Sequence, residues 1–465
     1  MVLLGIFLAI FLGFLFINII SPKFNLCEKI GLSFPLGIFW ITLIMLLLDM
    51  VNIPLVKNNI LAGMILLIVA SMLLLWKKYK VIFTEFINSF KISIGSFNLI
   101  WLIFIIMIIY IENMNFQKCM FWPPFDQDSL WGFDSIGFFI SKEFTFKDLS
   151  IFQEIYNSRI HRAGSIITYS PLVQLSYAFV YLFGAETSKI IPALMFASFL
   201  LAFYGVSKRV VNKTGAAIIT FFVLITPEML AFSSLSITNV IHAVYASIGI
   251  IYFVLWLREK QKKDLILSAV LLAINFWTRK EGLAFIGATY CVIFIDVLMN
   301  KNFKEYIYFV IITLSTFIVW TITMKIFGFY SENEVITKPY WDAEKISTIW
   351  RYMIMLFKST LYYGITFIVF LLGFLGNLWF LIKKRNNIYL LSIIILAIIF
   401  YCLLLYHIEY KWDSIENVLM YSAKRFLFCF IPLLWFYVAS NDSVLWLLNK
   451  TELFLSVKNK KNDLQ

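Results

Sequence analysis

Charge is what this sequence has least of. Only 14% of its 465 residues are Asp, Glu, Lys or Arg, while 61% are apolar and 18% aromatic. A soluble domain carries about 25% charged residues, so this chain lacks the means to cover itself with a water-facing surface. Cysteine is scarce as well. Cys27, Cys119, Cys291, Cys402 and Cys429 are scattered, mostly in or beside apolar runs, without metal-ligand spacing, and read as small apolar residues rather than a disulfide framework. Strict apolar–polar alternation is missing, which argues against a closed transmembrane barrel. Met1 to Ile20 has neither a basic start nor a small-residue cleavage site and is expected to be retained as a span. The net charge of +12 suggests nucleic acid at first sight. The basic residues, however, sit in short clusters between apolar runs, which is the positive-inside pattern of membrane proteins, so no nucleic-acid partner is expected.

What is present is apolar sequence in helix-length runs. A hydrocarbon core about 30 Å thick needs about 20 such residues per helix. The expected fold class is an all-α, polytopic transmembrane bundle of about 13 spans. Candidate spans lie near 2–20, 29–49, 60–76, 97–112, 188–206, 214–232, 240–257, 265–277, 283–299, 307–325, 359–380, 388–406 and 426–446. Basic clusters at Lys77–Lys80, Lys208–Lys213, Arg258–Lys263, Lys301–Lys304 and Lys383–Arg385, with the Lys-rich tail, are assigned to the cytoplasm of a cell-membrane protein. That assignment leaves room for one crossing between Thr168 and Lys208, so the apolar stretch 171–186 is read as re-entrant or half-buried. Three regions follow: N-terminal accessory helices 1–96, a central transmembrane module 97–440 and a basic tail 441–465.

The same parity gathers polar segments on the non-cytoplasmic face: loop 113–169, segment 233–242, turn 278–282, loop 326–358 and loop 407–425. All three histidines, His161, His242 and His407, fall there. Loop 113–169 has about 56 residues where connections usually have about 4–6, which marks a functional or folded segment. Its stretch Phe146–Tyr156 places Phe146, Leu149, Phe152, Ile155 and Tyr156 on one helical face. That is the pattern of a helix in the interface plane, and equally of one packed on its own bundle. Upstream, Phe-Trp-Pro-Pro-Phe-Asp-Gln-Asp-Ser-Leu-Trp-Gly-Phe-Asp (121–134) pins the chain with two prolines just before Asp126 and Asp128. Trp122 and Trp131 are interface anchors. A carboxylate held at the mouth of a membrane cavity can serve as general base or metal ligand, and a solvated loop charge is the bland alternative.

In order and spacing these segments resemble the integral-membrane glycosyltransferases of the GT-C fold, such as protein O-mannosyltransferases and lipid A aminoarabinose transferases. The resemblance rests on Phe125-Asp126 with Trp131, Tyr169-Ser170-Pro171-Leu172, Thr278-Arg279-Lys280-Glu281-Gly282-Leu283, and Tyr421 to Pro432 with Arg425. It covers about residues 97–440. The chain departs from the pattern in having Asn239 where many relatives carry an acid, and Asp134 where they often carry Lys.

The resemblance implies inverting transfer of a sugar from a polyprenyl-phosphate donor to a glycan, lipid or protein acceptor, on the non-cytoplasmic face among membrane lipids. Asp126 is the implied base, with Asp128 and Asp134 in reserve. Arg279, Lys280, Lys424 and Arg425 are the candidate donor-phosphate cations, because the leaving phosphate gains charge in the transition state. For Arg279–Glu281 the alternative is an interfacial cap with a local ion pair. His161, Tyr169, Glu281 and Trp341 are candidate substrate contacts, joined by Asp342, Glu344, Glu409, Trp412 and Asp413. No cofactor is certain; a divalent metal is left open, without assigned ligands. The rivals are a lipid-linked saccharide flippase or transporter, which would place ionisable groups mid-span, and a polysaccharide polymerase or ligase of different fold.

Overall fold

A computed structural model describes residues 1–90, 98–152, 169–300, 303–329, 334–336, 341–384, 387–410 and 413–446. The described residues are helical apart from one two-stranded antiparallel ribbon, Glu334–Ile336 paired with Ile408–Tyr410. Its main helices are α1 (Val2–Ile20), α2 (Leu26–Met50), α3 (Lys57–Leu75), α4 (Tyr79–Phe90), α5 (Leu99–Phe121), α6 (Asp134–Glu143), α7 (Leu172–Leu182), α8 (Ile190–Ser207) and α9 (Lys213–Leu224). They continue as α10 (Asn239–Glu259), α11 (Lys262–Thr278), α12 (Gly282–Asn300), α13 (Ile307–Phe327), α14 (Ala343–Lys358), α15 (Thr366–Lys384) and α16 (Ile388–His407). A last helical segment, Ile415–Ala439, changes pitch along its length.

Eleven of the described helices are long and apolar enough to cross a membrane, as a multi-pass membrane protein requires. The expected spans 214–232 and 265–277 are α9 and α11, of 12 and 17 residues. The first of these breaks after Leu224 because Pro227 cannot continue a helix and instead starts a short one, Pro227–Phe232. The span expected at 97–112 extends to Phe121, so the long loop starts nine residues later than the hydropathy suggested. Glu112 and Asn115 bond each other within this helix, and Asn115 reaches Ser233, so neither polar residue ends it.

The stretch 171–186 forms α7, an 11-residue helix about 17 Å long, too short for a core about 30 Å thick. It packs beneath α6, where a Cβ on Gly137 would lie 2.6 Å from Tyr177 Cβ, and against the first turn of α1 near Gly5. The amphipathic helix expected over Phe146–Tyr156 is not formed in its described part. Thr145 and the N–H groups of Phe146 and Lys147 bond the Asp49 carboxylate, which bends the chain, and Phe146 is buried edge-on against Phe329. Only Ser150–Phe152 makes a short 3₁₀ turn; residues 153–156 lie outside the described ones.

Helices α1 and α2 touch backbone to backbone. A Cβ on Gly13 would sit 1.8 Å from the Ser33 carbonyl, and one on Gly37 1.9 Å from that of Ala9. Small residues at such crossings are how helices associate where lipid offers no hydrophobic drive. The α2 helix is itself bound into the bundle: Tyr245 OH donates to the Pro35 carbonyl (2.8 Å) and Trp277 Nε1 to Thr42 (3.3 Å).

Two of the basic clusters meet at one end. Arg209, just past α8, bonds Asp264 at the start of α11 (2.8 and 2.7 Å) and Glu259 at the end of α10 (2.6 Å), with Glu28 of α2 3.9 Å away. Asp264 is fully buried, with Arg209 as its ionic partner. Removing one partner of a buried pair strands the other charge, at a cost of about 3–5 kcal/mol. Arg209→Met is therefore expected to lower the thermal unfolding midpoint in detergent sharply, and Arg209→Met with Asp264→Leu to restore part of it, since Glu28 and Glu259 still lack their partner.

Candidate functional site

At the opposite end the polar segments converge, beginning with the turn after α5. Pro123 and Pro124 forbid helix, and Asp126 starts a new one: its Oδ1 accepts the N–H of Asp128 (3.0 Å) and of Ser129 (3.2 Å). The other oxygen, Oδ2, is buried and makes no hydrogen bond among the described residues. Ser129–Phe133 follows as a π-helical turn leading into α6, and Ser129 donates to the Ser236 carbonyl (2.9 Å). Asp126 is thus held by its own turn, with one carboxylate oxygen left for something else.

Asp128 forms an ion pair with Arg425 from the last helical segment. That segment also passes through a π-helical turn, Leu419–Ala423, immediately before Lys424 and Arg425. Wide turns of this kind recur at functional sites because they re-aim the side chains around them. Lys424 pairs with Glu228 (3.1 Å), while Tyr363 OH holds the Lys424 carbonyl (2.8 Å). Both cations lie over Phe232, at 5.6 and 5.5 Å from its centre. Arg425 keeps one buried donor, Nε, without a partner.

Asp134 goes elsewhere. Buried in the first turn of α6, it accepts Tyr181 OH (2.8 Å). Burial, helped by the nearby Asp126 charge, raises its carboxyl above the ordinary range, against the hydrogen bonds from Ser188 and Tyr181. A raised carboxyl binds protons more tightly in the folded state, so its ionisation takes stability away as pH rises.

The turn 279–281 carries a local pair. Arg279 donates through Nε (3.3 Å) and a terminal nitrogen to Glu281, and through the other terminal nitrogen to Asn239. Its guanidinium lies 5.8 Å from the centre of the Tyr169 ring, which stands edge-on to Phe133. Arg279 therefore ties the loop, segment 233–242 and the turn together, with its donors largely engaged. Burial alone would raise the Glu281 carboxyl, but Arg279 outweighs it and holds it below the ordinary range. Lys280 is exposed beside them.

Trp341 is not part of this gathering; it is 82% exposed. Asp342, Glu344, Glu409 and Asp413 line a separate groove of about 420 Å³ with Lys345 and Glu416. Residues Met114 to Phe121 border an open, mainly apolar concavity of about 670 Å³ on the flank of α5. His161 and Trp412 lie outside the described residues. Among the described residues, no three His, Cys, Asp or Glu side chains come together as a metal site.

Lys189 was not singled out by the sequence. It is 1% exposed, and its ammonium donates to the Trp122 carbonyl (2.7 Å) and lies 5.9 Å from the centre of the Phe125 ring. The available signal was an ionisable residue inside the first turn of an apolar run, although charges at span ends are common.

For the Arg279–Glu281 pair, the depressed carboxyl contributes stability above the ordinary Glu range and loses it as pH falls through its lowered folded value. Glu281→Gln is expected to cost about 2–3 kcal/mol at neutral pH by stranding Arg279, and to flatten the acid-side loss of stability in thermal unfolding between about pH 3 and 8. No family model, no curated protein and no solved structure matches the chain.

Proposed function

We propose that the chain is a membrane glycosyltransferase that moves a sugar from a polyprenyl-phosphate donor to an acceptor hydroxyl or amine, with inversion, at the Asp126 end of the bundle. The observation that carries this reading is the buried, unbonded Oδ2 of Asp126 beside the Asp128–Arg425 pair. A base must be fixed, yet have a lone pair to spare. The Asp126 turn provides both.

In the proposed step the acceptor oxygen or nitrogen attacks the anomeric carbon as Asp126 takes its proton. The bond from that carbon to the phosphate oxygen breaks, and the lipid phosphate leaves with the electron pair. Arg425 and Lys424, from the last helical segment, are the cations best placed to meet that charge, because fixed donors act where charge develops. Lys280 is a further candidate. Arg279 is assigned to holding Tyr169, Asn239 and Glu281 in place rather than to phosphate. The concavity along Met114–Phe121 offers the lipid tail an apolar approach from the side. The Arg209 network and its neighbouring lysines lie at the other end, which by the positive-inside rule supports a site on the non-cytoplasmic face of the cell membrane. The resemblance to GT-C enzymes supports the same assignment.

A transporter of lipid-linked saccharide is the second reading, favoured by Glu112. This carboxyl lies within α5 and has a buried oxygen without a partner. Intramembrane acids of this kind often mark transport paths.

Asp126→Asn is expected to lower transfer from a purified polyprenyl-phosphate sugar by on the order of 10²–10⁴-fold while the protein stays inserted and folded. Unchanged transfer in that variant removes the base assignment. If Glu112→Gln stops saccharide movement while Asp126→Asn spares it, the transporter reading holds instead. Single-cysteine labelling at Lys280, Trp341 and Asp413 is expected from the outside only, and protection of position 280 would break the sidedness.

A further inference from the structure

Lys189 is in a poor place for a cation. It caps the N-terminus of α8, where the helix end is itself positive, and it is almost completely removed from solvent. Stability alone would favour Ser, Thr, Asp or Asn at such a position. Its backbone N–H is satisfied by Thr187 Oγ1 (3.2 Å), so the main chain does not need the side chain.

The side chain is directed at one target. Nζ donates to the Trp122 carbonyl and sits over Phe125. Those two residues bracket Pro123-Pro124, and Asp126 follows at once. With φ fixed at both prolines, holding the carbonyl before them and the ring after them largely fixes where Asp126 starts. Burial lowers the Lys189 ammonium below its ordinary range, and the nearby acids, Asp126 and Asp134 among them, partly offset that.

We infer that Lys189 is the positioning residue of this site: it clamps the Trp122–Phe125 bend and supplies the positive field in which the side chain at position 126 works. The other charged and titratable groups around this point are Lys118 and Cys119 on α5, Asp134 on α6, Tyr177 on α7, and the Asp128–Arg425 pair. Lys189 differs from them in bonding the backbone just ahead of the diproline. The clamp stands on geometry alone; its catalytic meaning rests on the transferase reading above.

The test reads the field without any reaction. In a full-length background with the five native cysteines changed to Ala, Asp126→Cys places a thiol at the site. Only the thiolate is alkylated, so the rate of iodoacetamide alkylation against pH reports how far a nearby cation favours the anion. With Lys189 present, alkylation is expected to set in at lower pH. Adding Lys189→Met should move the profile upward and slow alkylation at neutral pH by about three- to tenfold. Lys189→Arg should restore it. Lys189→Gln keeps a donor for the Trp122 carbonyl without the charge, so it should stay folded and still show the upward shift. Coincident profiles for Lys189, Lys189→Gln and Lys189→Met overturn the inference, as does an Arg variant that behaves like Met. If wild-type protein transfers no sugar but these shifts appear, the transferase reading fails and the role of Lys189 stands.

Discussion

The ion pair between Asp128 and Arg425 joins residues 297 positions apart and makes one site out of two ends of the chain. Without it the first loop would be a long excursion over the bundle. With it the turn that presents Asp126 is fastened to the last helical segment. A π-helical turn lies next to each partner, one after Asp128 and one before Lys424. Asp128 keeps 41% and Arg425 24% of its side-chain surface exposed, so the pair adds little stability of its own and acts by fixing the register of the two segments.

Two further links complete the convergence. Ser129 reaches the Ser236 carbonyl, and Arg279 reaches Asn239, Glu281 and Tyr169. The Arg279 contacts explain why three consecutive charged residues are tolerated at a turn between two helices. Arg279 and Glu281 neutralise each other in the interior, and Lys280 between them remains exposed. The opposite end uses the same device with Arg209 at its centre. The bundle is therefore tied at both ends by partly buried arginines, and lipid-compatible helices run between them.

Much of the fold was legible in the sequence because hydropathy and length are local. Helix positions follow from apolar runs, and the short α7 from the parity of the basic clusters. The errors came where polar residues had partners the sequence does not show. Glu112 and Asn115 looked like the start of a loop, yet they bond each other and Ser233 inside α5. Phe146 and Leu149 had helical spacing, yet the Asp49 carboxylate turns the backbone there. Of the expected site, the Asp126 turn was readable from its two prolines. The pairing of Asp128 with Arg425 and the engagement of Arg279 by Glu281 and Asn239 were not.

By itself, then, the sequence determined that the chain is a helical membrane bundle, where its helices run, and that acids and bases collect in a few short segments. Backbone polar groups have no other way to be satisfied in lipid, and helix hydrogen bonds are local. Only the tertiary structure decided which of those acids and bases are neutralised by one another. Asp128 and Glu281 are engaged, Lys189 points at the Trp122 carbonyl, and Asp126 keeps an unbonded oxygen. Such differences depend on distances across hundreds of residues, which no local pattern encodes.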